Sequence, residues 1–445
     1  MRRAIVIALV LAVLGWTAPA GAKIGTIDQV PGATLLLPYF EVDLDNPNGV
    51  QTLFSINNAS ATAILAHVTI WSDLSVPTLF FDVYLTGFDI QTINLRDIFV
   101  NGVLPRTASA GQDPTDTISP HGPVSQDINF ASCSGILPLP TLQVISANAG
   151  VDYIAHLQQA HTGGPSPVFS GKCAGQVLGD RIARGYVTVD TVNSCSLLSP
   201  AQMATGYASV ITFQNVLWGD YFYVNSGQNF AQGETLVAIE ACIPGDGYVG
   251  YVGTSPGLCP FVAGNYTFYG RYDAFTAIDQ REPLATNFAT RFLNGGAFTG
   301  GTSLIAWRDS KVNQQPFTCP AVAGARPPWY PLGQEGIVVF DEQENPNVIP
   351  SFPVAPQPPQ STIIPFPAEA NRTKVGSSKL PVPFTFGWIY LNLNTTVTGS
   401  ATPADAAAAQ AWVVTVHDAD GRFSVGYDAI QLDNAKTPLH FTPGP

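Results

Sequence analysis

Ile64-Leu65-Ala66-His67-Val68-Thr69-Ile70-Trp71 sets Ile64, Ala66, Val68 and Ile70 on one side of an extended chain and Leu65, His67, Thr69 and Trp71 on the other. A period of two predicts a strand with one buried face. The run Leu79-Phe80-Phe81-Asp82-Val83-Tyr84-Leu85-Thr86 repeats the pattern after the turn-rich stretch Ser72 to Pro77, so the two are expected to pair as a hairpin. Upstream, Gln51 to Ile56 ends in Asn57-Asn58, and Asp45-Asn46-Pro47-Asn48-Gly49 is dense in residues that favour tight turns. Strands of roughly six to ten residues between such turns predict antiparallel sheets packed as a sandwich.

The rest of the 445 residues agrees with that start: 46% are hydrophobic, 11% charged, and 41 Gly and 37 Pro punctuate the chain. Such a composition supports packed cores and excludes a coiled coil or a helical bundle. Residues 105 to 180 read as a loop-rich insertion in which only Leu142 to Ser146 and Tyr153 to Gln158 hint at order. Strands return at Gly185 to Asp190, Ala208 to Phe213, Trp218 to Val224 and Thr235 to Ala241. The glycine- and proline-rich stretch from Cys242 to Cys259 marks a seam near residue 262. Residues 23–262 carry 18 acidic against 6 basic side chains and residues 263–445 carry 14 against 11, so the acidity belongs to the first half. Beyond the seam, Ser303 to Trp307, Gly336 to Phe340, Phe384 to Leu393, Ala411 to His417 and Arg422 to Tyr427 read as strands. The last two flank Asp418-Ala419-Asp420-Gly421, a strong hairpin signal. The proline-rich segment 345–367 is expected to run extended across a surface or between sheets.

Arg2 and Arg3, the apolar run Ala4 to Leu14 and Ala20-Gly21-Ala22 form an export leader expected to be cut after Ala22. The apolar run is short for a membrane span, and no later stretch approaches one. The expectation is therefore a secreted, periplasmic or cell-surface protein. Its six cysteines, Cys133, Cys173, Cys195, Cys242, Cys259 and Cys319, then read as three disulfides, with Cys133 to Cys173 the favoured pair across the loop-rich stretch. A formal charge of −13 makes nucleic acid an unsuitable partner.

The segments Thr52 to Asn58, Gly185 to Asp190 and Asn215-Val216-Leu217-Trp218-Gly219-Asp220-Tyr221 resemble those of secreted bacterial proteins with immunoglobulin-like sandwich domains, themselves uncharacterised. The resemblance implies a fold, two immunoglobulin-like β-sandwiches stapled by disulfides. It carries no catalytic residues.

Candidate chemistry is sparse. Gly253-Thr254-Ser255-Pro256-Gly257 fits G-x-S-x-G, but Pro256 has no N–H for an oxyanion hole. His156 and His161 are five apart, off register for a shared metal on a helix or a strand. Glu41, Asp43 and Asp45 are the calcium-ligand candidates, with Asp341, Glu342, Glu344 and Asn345 a second acidic turn; neither fits a twelve-residue calcium loop, and solvated turn carboxylates are the competing reading. Trp71, Tyr84, Trp218 and Tyr221 are the candidate binding aromatics, set against the alternative that other segments bury them. The expected function is a noncatalytic structural or adhesive protein of the envelope or extracellular space, with protein or surface polysaccharide as partner. Glycan binding through exposed aromatics is the second reading. A hydrolase with two carboxylates in a cleft is the third.

Overall fold

The computed structural model describes residues 30–105, 107, 141–241, 267–273, 278–320, 325–350, 354–355, 363–397 and 410–432. The expected leader, the seam near 262, the 253–257 motif and Cys133, Cys242 and Cys259 lie outside them.

The described chain is mostly antiparallel sheet. Its first half contributes β1 (Thr34–Asp43), β2 (Val50–Asn58), β3 (Ile64–Ser72), β4 (Pro77–Leu85), β5 (Ile90–Asn94), β6 (Ile182–Val192), β7 (Leu217–Trp218), β8 (Asp220–Asn225), β9 (Phe230–Thr235) and β10 (Val237–Ile239). They form two sheets, ordered β10-β1-β6-β3-β4 and β5-β2-β8-β9, with β7 paired to β2. The second half contributes β11 (Asn287–Leu293), β12 (Gly301–Arg308), β13 (Gly336–Phe340), β14 (Pro346–Ile349), β15 (Val354–Ala355), β16 (Ala370–Lys374), β17 (Phe386–Asn392), β18 (Thr396–Val397), β19 (Ala411–Asp418), β20 (Ser424–Asp428) and β21 (Ile430–Gln431). Its sheets run β14-β13-β17-β11-β21 and β16-β12-β19-β20, and β15 pairs with β18 in parallel. Pro346, which has no N–H for a ladder, opens the edge strand β14.

The β3–β4 hairpin forms in the register that the alternation implies, with Ile64 opposite Leu85 and His67 opposite Asp82. The β19–β20 hairpin forms around the Asp420-Gly421 turn, where Asp420 has φ 56° and Gly421 φ 77°. The loop-rich reading of 105 to 180 needs correction in its described part. Helices α1 (Leu142–Ala149) and α2 (Tyr153–Thr162) stand there, begun by Thr141 and Asp152, whose side chains accept from Val144 N and Ala155 N. Gly150 and Gly163, at φ 70° and 78°, end them in the left-handed conformation. Helix α2 packs on β6 and β4.

The sheet β16-β12-β19-β20 is covered on both faces. Leu304 and Ala306 with Ala411 and Val413 join Phe288, Ile337, Ile389 and Leu391 in one core. Ile305 and Trp307 with Trp412, Val414 and Val416 join the core built on β1, β3 and β6. A continuous run such as Leu304-Ile305-Ala306-Trp307 suits a strand without a solvent face.

Strand β3 is buried throughout as well, which corrects the expectation of one exposed face. Trp71 stacks on Tyr186 and Tyr272, centroids 5.6 and 5.8 Å away, and its Nε1 donates to Thr188 Oγ1 at 2.9 Å. Tyr207 covers His67 at 5.5 Å.

The expected Cys133 to Cys173 pair is also corrected: Cys173 bonds to Cys319, 146 residues away, with Sγ–Sγ 2.12 Å and Cα–Cα 4.9 Å. Residues Cys173 and Phe317 form a backbone bridge beside it, so the bond tethers the region after α2 to the second half. Cys195 is disulfide-bonded too. No described cysteine is free.

Replacing Trp71 by Ala removes a fully buried ring and its hydrogen bond. The expected loss is about 3 to 5 kcal/mol, read from urea unfolding. A loss below about 1 kcal/mol would contradict this packing.

Candidate functional site

Two places combine exposure with chemistry. One is the outward face of the sheet β14-β13-β17-β11-β21. Along β17, Gly387, Ile389 and Leu391 turn inward while Phe386, Trp388 and Tyr390 turn outward. Register sets Phe340, Trp388 and Arg291 on one rung, and Val348, Val338, Tyr390, Ala289 and Ile430 on the next. Trp388 is 39% exposed, Phe386 37% and Val348 66%. The Arg291 guanidinium lies 5.7 Å from the Trp388 ring and pairs with Glu342 at 2.6 Å, which fixes the indole on its strand. Gly387 makes the aromatic pair possible. It has φ 153°, and a Cβ there would meet the Phe340 carbonyl oxygen at 1.8 Å, so β13 and β17 approach closely only at a glycine.

The other place is a cleft of about 320 Å³ where β1 and β6 meet β16. Glu41 of β1 stands opposite Arg184 of β6, and Asp73 follows Ser72, the partner of Gly185. All three line the cleft, and Arg372 of β16 faces them from the second half. Glu41 accepts from Tyr39 at 2.9 Å through Oε1 and from Arg372 at 2.7 Å through Oε2, with Arg184 at 3.5 Å. Burial works against the Glu41 charge, but Arg372 and Arg184 outweigh it and hold the carboxyl below its ordinary range. Asp73 accepts from Gln176 N at 3.1 Å and Gln176 Nε2 at 2.7 Å. Burial dominates there and pushes its carboxyl up to about 6.

The candidate binding aromatics are not brought together at a surface. Trp71, Tyr84 and Tyr221 are buried, and of the four only Trp218 is exposed, at 45%. Tyr84 packs with Leu65 and Val192, and Tyr221 lies against Tyr223 at 5.2 Å. This corrects their reading as a binding platform. Partners from distant strands cover rings that alternation alone leaves facing outward. The aromatic face on β17 lay in a stretch read as a strand, and its signal was Phe386-Gly387-Trp388 with Tyr390 on the same side.

The calcium candidates diverge in the same way. Glu41 is held by guanidinium groups, and Asp43 accepts from Asp45 N and Asn46 N within its own turn. Asp45 pairs loosely with Arg181 at 3.5 Å, and Asp341 accepts from Gln343 N and Asn345 N. Among the described residues, no group of three or more His, Cys, Asp or Glu is placed to hold a metal ion. His156 and His161, read as off register, both turn to the same strand end. His156 Nε2 donates to the Thr78 carbonyl at 2.9 Å and His161 Nε2 lies 2.8 Å from Thr78 Oγ1. Burial lowers them to about 4 and about 3, so both are neutral in the fold. His67 Nδ1 donates to Asp82 at 2.7 Å in full burial.

No family model matches this chain, and no curated protein or solved structure matches it. Among the described residues no helix is long and apolar enough to cross a membrane.

Asp73 gives a pH test. A carboxyl whose value is raised in the fold contributes stability that is complete below about pH 4 and lost as pH rises through about 6. The stability of the native protein minus that of Asp73→Asn should therefore fall by about 2 kcal/mol between pH 4 and pH 7. The buried histidines act equally in both proteins and cancel. A difference that stays flat across this range would show that Asp73 is not strained by burial.

Proposed function

We propose that the chain is an exported, noncatalytic adhesive protein that holds surface polysaccharide on the aromatic face of β17. The observation that carries this reading is the outward row of Phe386, Trp388 and Tyr390 beside Phe340, with Arg291 bracing the indole. Rings presented on a rigid sheet offer apolar, flat surfaces to the faces of sugar rings, and little ordering is needed for contact. Large apolar patches are uncommon on soluble domains unless something binds them. The leader-like start, the cysteines and the acid-rich composition support export. The paired sheets are compatible with an immunoglobulin-like arrangement in each half.

The cleft gives the hydrolase reading little to work with. A glycosidase requires one carboxyl to donate a proton and another to attack or activate water. All four oxygens of Glu41 and Asp73 already accept hydrogen bonds from Tyr39, Arg372 and Gln176.

Trp388→Ala and Phe386→Ala change half-exposed side chains, so stability should shift by no more than about 1 kcal/mol. Retention of the protein on insoluble cellulose, chitin or peptidoglycan should fall about tenfold in each variant, the loss expected of a central aromatic contact. Failure of the native protein to adsorb to any of the three, or equal adsorption by both variants, would overturn the proposal.

A further inference from the structure

The cleft between β1, β6 and β16 is lined by three cations, Arg184, Arg372 and Lys379, which differ in how far carboxylates engage them. Arg184 binds Asp180 through both terminal nitrogens at 2.7 Å and shares Glu41 with Arg372. That set of two guanidiniums and two carboxylates balances. Lys379 lines the same space, is exposed, and has no ion partner among the described residues. Arg372 gives Nη1 to Glu41, and its other N–H groups have no acceptor among the described residues. Its side chain is 27% exposed. Among the described residues, the remaining charged group lining the cleft is Asp73, whose oxygens are turned to Gln176.

We infer that this cleft binds a small hydroxylated carboxylate, of the size of a sugar acid. A volume of about 320 Å³ is at the lower end of small-molecule sites, large enough for one such ring. The planar guanidinium of Arg372 presents paired N–H donors that match the two oxygens of a carboxylate, and Lys379 adds a point charge beside it. Leu178, Pro365 and Pro367 give the same lining apolar surface, and Thr373 and Gln176 are among its polar residues. A lining that combines cations with apolar and polar side chains suits a ring that bears a carboxylate better than a bare anion. The site is separate from the aromatic face and does not depend on polysaccharide adsorption there.

The probe is sodium glucuronate, titrated by calorimetry into the full chain at low salt, with glucose and sodium sulfate as comparison arms. Saturable one-to-one binding of glucuronate is expected, with glucose and sulfate each at least tenfold weaker. Lys379→Ala alters an exposed side chain without an ion partner, so it should fold normally and lose about tenfold in glucuronate affinity; Arg372→Lys, which keeps the charge opposite Glu41, should lose as much by giving up the fork. Trp388→Ala should bind glucuronate as the native protein does, which keeps this test apart from the adhesive reading. Equal binding of sulfate would mean an inorganic-anion site, and equal binding of glucose would mean that charge is not read. Either result, no saturable binding, or native affinity in both cleft variants overturns the assignment.

Discussion

The Arg271 guanidinium, 3% exposed, sits where the two halves meet and must have every N–H answered there. Its Nη1 donates to Asp309 at 2.9 Å and Glu369 at 2.6 Å, and its Nη2 to Ser75 at 2.8 Å, Tyr186 at 3.2 Å and Tyr272 at 2.5 Å. Burial opposes the charge, yet the Glu369 carboxylate and its neighbours hold it cationic. An unpaired charge at that depth costs several kcal/mol; the second half supplies both carboxylates, and the first half closes over the guanidinium with the Ser75 and Tyr186 hydroxyls. Ser75 adopts a left-handed φ of 61° there, a conformation a serine keeps only when its surroundings hold it. A second buried guanidinium repeats the logic. Arg281 lies 3.3 Å from Asp279 and 3.6 Å from Asp190, while Tyr207 and Tyr269 donate to Asp190 at 2.6 and 2.9 Å.

Those two networks explain why Tyr186 and Asp190 of β6 face inward. Period two correctly separates Ile64, Ala66, Val68 and Ile70 from His67, Thr69 and Trp71, and it predicts the β3–β4 pairing. It does not say which face is wet. His67 is buried because Asp82 meets it across the hairpin, and Trp71 because Thr188, 117 residues on, takes its N–H. A sheet face can be polar in composition and still dry when hydrogen-bond partners from elsewhere complete it. Most strands and hairpins were therefore legible, though Ala208 to Phe213, expected as a strand, is a 3-10 turn over Tyr207–Ser209 followed by one bridge at Ile211; the two ordered stretches of the excursion were legible too, though as helices set by their caps. The layers were not, because covering segments come from distant positions.

The site shows the same division between local and distant information. Glu41, Asp43 and Asp45 look like a cluster because they are neighbours in sequence, but β1 turns Glu41 toward Arg184 and Arg372, the latter 331 residues away. The Cys173 to Cys319 bond is likewise nonlocal. Phe386, Trp388 and Tyr390 share a face by simple alternation, and what the sequence could not settle was that this face of β17 is the outer one. That follows from Ile337, Val339, Phe288 and Phe292, which fill the space on its other side.

The cleft and the buried guanidinium are built from the same two pieces of chain. Asp73 lines the cleft while Ser75 bonds Arg271, and Glu369 bonds Arg271 while Arg372 faces the cleft. The Asp73 carbonyl accepts from Glu369 N at 3.1 Å and Ala370 N at 3.2 Å, tying the two pieces directly. A binding group is only as well placed as the residues behind it. Arg372 lies on a strand whose first residues are fixed by that backbone contact and by a charge network that tolerates little displacement. A side chain based on a strand held in this way loses less ordering entropy on binding than a loop-borne one. The constraint that joins the halves thus also organises the cavity between them.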